Sequence, residues 1–489
     1  MTMPWAAGHL PGVAAQEVAW HTLSFGAAGE RLEVNVPLLT TAQLRALARR
    51  VRAASAQHLK TLPVSRIIAI VDRAIARLLD PQDPVRREAE RLLPIVSGFD
   101  AEMVRLGLNG FAQTFRAPQL HRFVAEDFAN PKLLDEFQPA MKGGFVRAFG
   151  PDLLVHSWAG NVPALPLWSL VCGLLVKAGT VGKLPSAEPV FATLFVKLLV
   201  EVHPPLADCL AIVWWPGGDA ASAEAVFGEA DTVLAYGGNE AIAQVRAQVP
   251  VTSRFLGYGH KLGFGLIARA ALDAQRGPAT ARVAAHDIVR YEQQGCYSPH
   301  HFYVERGGRM APREFALHLA AELANLQRRF PRRALALEEG AAVSGWRQSA
   351  ELQALAGAGC ELFGAADAAW TVACSEQPQP LAPTGGGRGI HVSAVDALEE
   401  VVPLLAPHAR FLQTVGIAAT PQQLHSLAES LGRVGVTRIA ALGAMTAPEA
   451  GWHHDGRFNL LDLVRMVEIE ASAERAADRL APYAQESLP

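Results

Sequence analysis

Apolar residues recur every three to four positions along the first part of the chain, with arginines on the opposite side. The pattern runs through Leu39–Leu59, Val64–Asp80 and Asp83–Phe99. This period matches an α-helix, and the threonines before the first run are typical of a helix start. The sequence therefore predicts that the first third of the chain is helical, with a helical region over residues 39–125.

From Pro151 the pattern changes to short apolar runs that alternate with helical segments. Strands are predicted at DLLVHSWAG, GTVGKLP, CLAIVWWPGGD, ADTVLAYGG and SRFLGYG. Helices are predicted in a segment that opens at Asn161 and at EPVFATLFVKLLVEVH and NEAIAQVRAQV. This alternation predicts a parallel α/β sheet, whose ligands bind at the carboxyl ends of the strands. Those ends are rich in Gly, Asn and Ser, so we expect a dinucleotide there. After Cys296 a second α/β pattern begins, with a helix at PREFALHLAAELANLQRRF, and continues to about Ala441.

Composition narrows the class of protein. A chain of 489 residues is too long for one ordinary core, and its net charge of -3 gives no attraction to nucleic acid. The most apolar stretch, Val162–Val176, is shorter than the roughly 20 residues that span a bilayer. The N-terminus does not have the pattern of a signal peptide, and the five cysteines are scattered. We therefore expect a cytoplasmic protein without stable membrane insertion.

Several chemical motifs are missing from the sequence. It contains no GxSxG elbow, no Walker phosphate loop and no GxGxxG fingerprint. The pairs His300-His301 and His453-His454 lack a third ligand at a suitable spacing, so we interpret them as surface or hydrogen-bonding histidines. No metal site is predicted.

Cys296 differs from the other four cysteines because it lies on a turn, QQGCYSP, between Gly295 and Pro299. Free cysteines are most often small core residues, and a reactive thiol needs an exposed, polar setting. The residues alone leave two interpretations open, a buried hydrophobe or a nucleophile.

Several segments, taken in order, resemble the aldehyde dehydrogenase superfamily. They are HSWAGNVPALPLW, GTVGKLPSAEP, WWPGGD, ADTVLAYGG and EQQGCYSPHHFYVE. Together with WHHDGRFNLLDLVRMVE, they are most similar to its acyl-CoA reductase branch, the LuxC-like fatty acid reductases of bacterial bioluminescence. The resemblance implies two Rossmann-like parallel α/β domains, a helical N-terminal region and a small oligomerisation element. We expect a cofactor-binding domain at 1–262, a catalytic domain at 263–440, and a C-terminal segment at 441–489 that returns to the cofactor domain and contributes to oligomerisation.

The resemblance also implies roles for individual residues. Cys296 matches the catalytic nucleophile, and Asn161 matches the asparagine whose amide helps to form an oxyanion hole, although it could simply cap a helix. Lys183 matches the lysine that contacts the adenosine ribose. Ser186 stands where NAD-preferring relatives often place a glutamate, so NADPH should be admitted. Three glycines match small residues that line the cofactor cleft, and each could equally be a turn glycine: Gly217, Gly218 and Gly237.

One departure from the superfamily concerns its ELGGK motif, whose glutamate activates the water that hydrolyses the acyl-enzyme. The corresponding stretch is GYGHK, with Gly257 in the glutamate position. Without that base the enzyme should make little free acid and be better suited to thioester exchange. His260 and Lys261, beside the vacated position, are candidate proton donors.

These inferences predict an NADPH-dependent reductase that converts a long-chain acyl-CoA or acyl-protein thioester to the aldehyde through an acyl group on Cys296. CoA would be the other product of an acyl-CoA substrate. An acyl-activating or acyl-transferring protein partner and a homo-oligomer are expected from the family. The alternatives are a CoA-acylating aldehyde dehydrogenase, an ordinary aldehyde dehydrogenase with Glu292 as relocated base, and a non-catalytic nucleotide-binding partner protein.

Overall fold

The N-terminal part of the chain begins with strands rather than helices. The computed structural model describes residues 4–27, 29–357 and 359–481. Its first strands are β1 (Trp5–Ala6), β2 (Ala19–Ala27) and β3 (Glu30–Leu38), with β2 and β3 antiparallel and β1 parallel to β3. The prediction that the first third is helical is therefore wrong before residue 39. Burial of Val34 and Val36 on one face of β3 explains the pairing, because alternate residues of a strand face the same side.

Five helices follow, as the apolar period predicts. They are α1 (Thr41–His58), α2 (Val64–Leu79), α3 (Pro84–Ser97), α4 (Ala101–Gln113) and α5 (Ala117–Asp127). The Thr40 hydroxyl and the Gln43 side chain form a capping box at the start of α1, which fixes its first turn. Two short strands come next, β4 (Gln138–Pro139) and β5 (Phe145–Phe149).

The first large sheet is fully parallel in the order β10-β9-β6-β7-β8. Its strands are β6 (Leu153–Ser157), β7 (Gly179–Lys183), β8 (Leu210–Val213), β9 (Thr232–Tyr236) and β10 (Arg254–Tyr258). Its helices are α6 (Leu165–Leu175), α7 (Phe191–Val202), α8 (Ala220–Phe227) and α9 (Asn239–Gln248). All five predicted strands are confirmed.

The helix predicted to open at Asn161 instead begins at Leu165. Ala164, just before it, has a left-handed backbone with φ 67°, and Pro166 lies in the first turn. Proline suits a first turn but not a helix interior, so the chain reaches α6 through an irregular loop. Asn161 lies in that loop and does not cap a helix.

The second large sheet has the order β13-β14-β15-β12-β11-β16-β17, parallel except for β13. Its strands are β11 (Leu262–Ile267), β12 (Pro299–Glu305), β13 (Cys360–Phe363), β14 (Thr371–Ser375), β15 (Gly389–Val395), β16 (Leu412–Ala418) and β17 (Arg438–Ala441). Its helices are α10 (Arg276–Val289), α11 (Pro312–Arg329), α12 (Leu337–Leu355), α13 (Val401–Leu405) and α14 (Pro421–Val434).

The C-terminal segment packs back against the first half of the chain. Leu460, Leu463 and Val464 belong to the same buried apolar cluster as Leu167 of α6. The segment then forms β18 (Arg465–Ile469), antiparallel to β5, and α15 (Ala471–Asp478). The three domain boundaries and the oligomerisation role stay predictions.

The apolar stretch around α6 is buried core. Every side chain from Pro166 to Leu175 is buried. In the parts of the chain that the structure describes, no helix has the length and apolarity to cross a bilayer.

Candidate active site

A cavity of about 460 Å³ lies where the carboxyl ends of β9 and β10 approach the loop that carries Cys296. Its lining comes from six separate stretches of the chain, which tertiary folding brings together. The lining residues used below are Asn161, Tyr236, Gly237, Tyr258, His260, Lys261, Gln294, Cys296, His300 and His454.

The loop before Cys296 contains an unusual backbone turn. Tyr291, Glu292 and Gln293 have φ angles of 54°, 53° and 58°, three successive left-handed residues with side chains. This conformation costs about 1–2 kcal/mol per residue, so neighbouring contacts must hold it. The turn ends the α10 segment and delivers Cys296 to the cavity.

The Cys296 thiol is partly exposed to the cavity and has two polar neighbours. The Gln413 side-chain amide donates a hydrogen bond to Sγ over 3.3 Å, and His454 Nε2 lies 3.9 Å from Sγ. Burial raises the pKa of Cys296 to about 12, reinforced by the Asp455 carboxylate and opposed by the Gln413 hydrogen bond. The resting thiol is therefore protonated at neutral pH, and its attack requires a base.

The sequence analysis did not single out His454 as a site residue. It is a buried hydrogen-bonding histidine rather than a surface one. The ring is 8% exposed and lines the cavity. It stacks on Tyr258 at a centroid distance of 4.4 Å and lies 4.8 Å from Trp452. Burial lowers the pKa of His454 to about 4, so the imidazole is neutral. The only sequence signal was its place in the WHHDG segment.

Two further residues behind the thiol were also missed. Gln413 Nε2 donates to Asp455 Oδ1 over 2.5 Å as well as to Cys296, so one amide bridges the carboxylate and the sulfur. Asp455 Oδ2 lies 3.8 Å from Lys261 Nζ. Asp455 itself has a left-handed backbone with φ 55°.

Asn161 lies at the rim of the same cavity, as a role beside Cys296 requires. Its side-chain amide donates to the backbone carbonyl of Gln294 over 2.6 Å. The hydrogen bond ties the α6 approach loop to the Cys296 loop. The oxyanion role of Asn161 stays a prediction.

His260 and Lys261 also line the cavity, where the resemblance placed them. His260 is held through its backbone N–H, which donates to Asn239 Oδ1 over 3.2 Å. Lys261 faces Asp455 and the carbonyl of Arg410. Their function as proton donors stays a prediction.

Among the described residues that line this cavity, none is an aspartate or glutamate. Glu292 is unsuited to the role of relocated base, because both of its oxygens accept hydrogen bonds from Arg388 and its side chain is 2% exposed. Gly257 lies outside the lining, and a Cβ there would lie 3.0 Å from Ile242 of α9. The lack of a carboxylate base is therefore a property of the whole described lining rather than of position 257.

A second cavity of about 340 Å³ adjoins the first at the carboxyl ends of β6, β7 and β8. Tyr236 and Gly237 line both cavities, so a ligand in the second would reach toward Cys296. Lys183, Gly217 and Gly218 line it, and a Cβ on either of those glycines would meet no atom within 4 Å. Their contact with a cofactor stays a prediction. Burial lowers the pKa of Lys183. Lys183 Nζ lies over the Trp215 ring, 5.5 Å from its centroid. An amine beside an open strand end fits the ribose and phosphates of a dinucleotide.

Ser186 does not line this second cavity. It lies on the exposed turn after β7, and its hydroxyl accepts a hydrogen bond from the Trp214 indole N–H over 3.1 Å. In the described part of the chain, no group of three or more His, Cys, Asp or Glu side chains is arranged to hold a metal ion.

Comparison with known proteins agrees with this geometry. Residues 59–466 match the family model described as Acyl-CoA reductase (LuxC). The chain belongs to the LuxC family of acyl-CoA reductases. A member of this family is an aldehyde-forming acyl reductase, so the prediction of an oxidoreductase is confirmed.

Among LuxC-family relatives, the chain is 29% identical to a long-chain acyl-protein thioester reductase of Aliivibrio fischeri, over 79% of this chain and 78% of that protein. It is 25% identical to the Vibrio harveyi protein of the same name, over 84% of each chain.

Solved structures confirm the aldehyde dehydrogenase-like fold of this LuxC-family chain. Aldehyde dehydrogenase 21 from Physcomitrella patens superposes with a TM-score of 0.72 at 14% identity, covering 96% of this chain and 98% of that one. The aldehyde dehydrogenase KauB from Pseudomonas aeruginosa gives 0.73 at 15% identity, covering 95% and 96%.

Proposed function

We propose that this protein reduces a long-chain fatty acyl thioester to the fatty aldehyde with NADPH, through a thioester on Cys296. The observation that carries the proposal is the setting of Cys296 in a cavity whose described lining has no carboxylate. A thiol can hold an acyl group there, and no carboxylate side chain is present to activate a hydrolytic water.

In the first half of the reaction, Cys296 Sγ attacks the acyl carbonyl and the carrier thiol leaves. The Asn161 amide and the Cys296 backbone N–H are the proposed donors to the oxyanion, since charge develops on that oxygen in the transition state. In the second half, hydride reaches the acyl carbon and the Sγ–C bond breaks to release the aldehyde. A nicotinamide cofactor in the second cavity would supply the hydride, and the protein would hold the acyl group beside Tyr236 and Gly237, which line both cavities.

NADPH is proposed as the reductant on two residues. Lys183 offers a cation at the end of β7. Ser186 is uncharged, and the family resemblance aligns it with the glutamate that NAD-preferring relatives direct at the 2′-position. A glutamate at residue 186 would repel a 2′-phosphate, whereas serine does not.

The carrier of the acyl group has two candidates, CoA and a protein thiol. The names of the relatives favour an acyl-protein, so an acyl-transferring protein is the proposed partner. With an acyl-CoA substrate, CoA would be released instead. A homo-oligomer is proposed from the family resemblance.

The CoA-acylating aldehyde dehydrogenase remains the second candidate, because the same thiol would serve the reverse direction. The hydrolytic aldehyde dehydrogenase is disfavoured by the lack of a lining carboxylate and by the pairing of Glu292. The non-catalytic alternative is disfavoured by the hydrogen-bonded environment of Cys296.

The test uses a radiolabelled long-chain acyl group without NADPH. The acyl group is presented once as acyl-CoA and once on a donor protein thiol. We expect a hydroxylamine-sensitive label on Cys296 that added NADPH discharges as aldehyde. Cys296→Ala should remain unlabelled; equal labelling of this variant would overturn the proposal. Release of free fatty acid would favour the hydrolytic alternative, and the faster of the two donors identifies the carrier.

A further inference from the structure

Cys296 and His454 form a close pair although they are far apart in the sequence. His454 Nε2 is 3.9 Å from Cys296 Sγ, across 158 residues of sequence. The sulfur is thereby placed beside a ring nitrogen that can accept a proton. Sulfur is large, so a donor–acceptor separation near this value is compatible with a weak S–H···N hydrogen bond.

Stacking contacts fix the orientation of the His454 ring. Its faces pack near Tyr258 at 4.4 Å, Trp452 at 4.8 Å and Tyr236 at 6.1 Å between ring centroids. With its faces covered, the ring directs its Nε2 edge to Cys296. An imidazole held in this way keeps the same nitrogen facing the thiol throughout the reaction.

Two other histidines line the cavity but are differently engaged. His300 uses Nδ1 to contact the hydroxyl of Thr384 over 3.0 Å. His260 lies exposed at the rim, and within the described chain no hydrogen bond joins its ring to Cys296. His454 is therefore the histidine positioned to exchange a proton with the sulfur.

The surroundings of this pair favour an uncharged thiol and an uncharged imidazole before substrate binds. The charged groups that face His454 are Asp455, Lys261 and Arg457. Tyr236 and Tyr258 stay protonated because burial raises the pKa of each phenol. Burial also raises the pKa of the Cys296 thiol and lowers that of the imidazole. An uncharged thiol beside an uncharged base is the arrangement for proton transfer at the moment of attack, rather than for a preformed ion pair.

We propose that His454 is a catalytic acid–base residue that takes the Cys296 proton during acylation and passes it to the departing carrier sulfur. The proposal rests on the acyl-enzyme function proposed above. As the Sγ–C bond forms, the proton moves from Sγ to Nε2. As the bond between the acyl carbon and the carrier sulfur breaks, the same proton moves from Nε2 to that sulfur. No electrons are exchanged in this half-reaction, so it proceeds without a cofactor.

Gln413 and Asp455 are positioning residues for the same step. The Gln413 amide has two N–H groups, one directed to Sγ and the other to Asp455. The carboxylate thus fixes the amide, and the amide stabilises negative charge that develops on the sulfur.

The experiment measures single-turnover acylation of Cys296 by a radiolabelled long-chain acyl-CoA, without nicotinamide cofactor, between pH 6 and 10. His454→Gln should acylate about 100-fold more slowly than the wild type at pH 7, the usual contribution of a general base. Its rate should rise with pH as hydroxide replaces the base, while the wild-type rate changes little. His454→Phe keeps an aromatic ring in the stack and should be as slow as His454→Gln.

His453→Gln is the matched control, because His453 does not line the cavity and its Nε2 makes no hydrogen bond within the described chain. It should acylate like the wild type. Wild-type rates in His454→Gln or His454→Phe at pH 7 would overturn the proposal.

A second measurement separates this proposal from the proposed function. Alkylation of Cys296 by iodoacetamide needs no acyl substrate, and its rate at pH 7 should fall about tenfold or more in His454→Gln. If wild-type protein takes no acyl label from CoA or from a donor protein, the proposed function fails while alkylation still tests the pair. Equal alkylation rates in wild type and His454→Gln would overturn the role of His454 by themselves.

Discussion

Arg388 and Glu292 form a bidentate ion pair that is closed to solvent. Arg388 Nε donates to Glu292 Oε2 over 2.9 Å and Nη2 donates to Oε1 over 2.6 Å, with side chains 0% and 2% exposed. Both residues have left-handed backbones, with φ 65° for Arg388 and 53° for Glu292. The pair therefore connects the glycine-rich loop before β15 to the turn that delivers Cys296, and it holds both in a conformation that is unfavourable in isolation.

Glu292→Gln should destabilise the protein strongly, because it leaves the Arg388 charge buried without a counter-charge. Breaking a buried pair in this way costs about 3–5 kcal/mol. The free energy of unfolding, measured with urea, checks the value. The control is Glu361→Gln, which breaks the exposed Arg313–Glu361 pair and should cost less than about 1 kcal/mol. Similar losses in the two variants would contradict the role assigned to the buried pair.

Buried Glu188 should contribute stability that increases as pH falls from about 8 to 5, against the opposite contribution of buried histidines such as His454. Its carboxylate accepts hydrogen bonds from the backbone N–H groups of Val190 and Phe191, yet burial raises its pKa to about 7. The folded state then binds a proton that the unfolded state releases above its ordinary pKa, so this stabilising contribution is present at low pH and is lost as pH rises through 7. The urea concentration at the unfolding midpoint, measured at several pH values, gives the slope of stability against pH.

Glu188→Gln supplies the comparison for that slope. The amide oxygen can still accept both backbone hydrogen bonds, and the buried charge is removed. We expect the variant to be at least as stable as the wild type at pH 8.5, and the wild type to gain stability relative to the variant as pH falls to 5. Asp287, whose pKa burial also raises to about 7, will leave part of the slope in both proteins. An unchanged slope in Glu188→Gln would show that Glu188 makes no such contribution.

Ser186→Glu should weaken NADPH binding about tenfold, equivalent to about 1.4 kcal/mol, and change NADH binding little. The new carboxylate would lie on the exposed turn after β7 and repel a 2′-phosphate. Fluorescence titration with each cofactor gives the two dissociation constants. Ser186→Ala is the control, since it removes only the acceptor for the Trp214 indole. If the binding of NADPH and of NADH weakened equally, the substitution would be disturbing the cleft rather than repelling the 2′-phosphate.

Asn161→Asp should slow acylation of Cys296 by about 10²–10³, the usual effect of removing one oxyanion donor. The substitution keeps the shape and removes the N–H that now donates to Gln294. The rate of single-turnover labelling checks the value, and the thermal midpoint reports any loss from the loop contact. A normal acylation rate together with a lowered thermal midpoint would show that Asn161 has a structural role and no oxyanion role.

The sequence by itself determined the locally encoded part of the molecule. Helices α1 to α3 and the five parallel strands of the first sheet follow from apolar periods that each segment carries on its own. The ordered motifs around Asn161 and Cys296 placed both residues, and the structure puts both at one cavity. The predicted start of α6 was wrong because the helix begins after Ala164, which has a left-handed backbone. A left-handed conformation at a residue other than glycine cannot be recognised from the sequence.

Only the tertiary structure decided what surrounds the thiol. Gln413 lies 117 residues and His454 158 residues from Cys296, while Arg388 lies 96 residues from Glu292. Such partners are chosen when parallel strands align their carboxyl ends and the C-terminal segment packs back against the first half of the chain. A contact made across that distance leaves no period or spacing in the sequence. His454 therefore looked like any histidine until the fold placed it beside the sulfur.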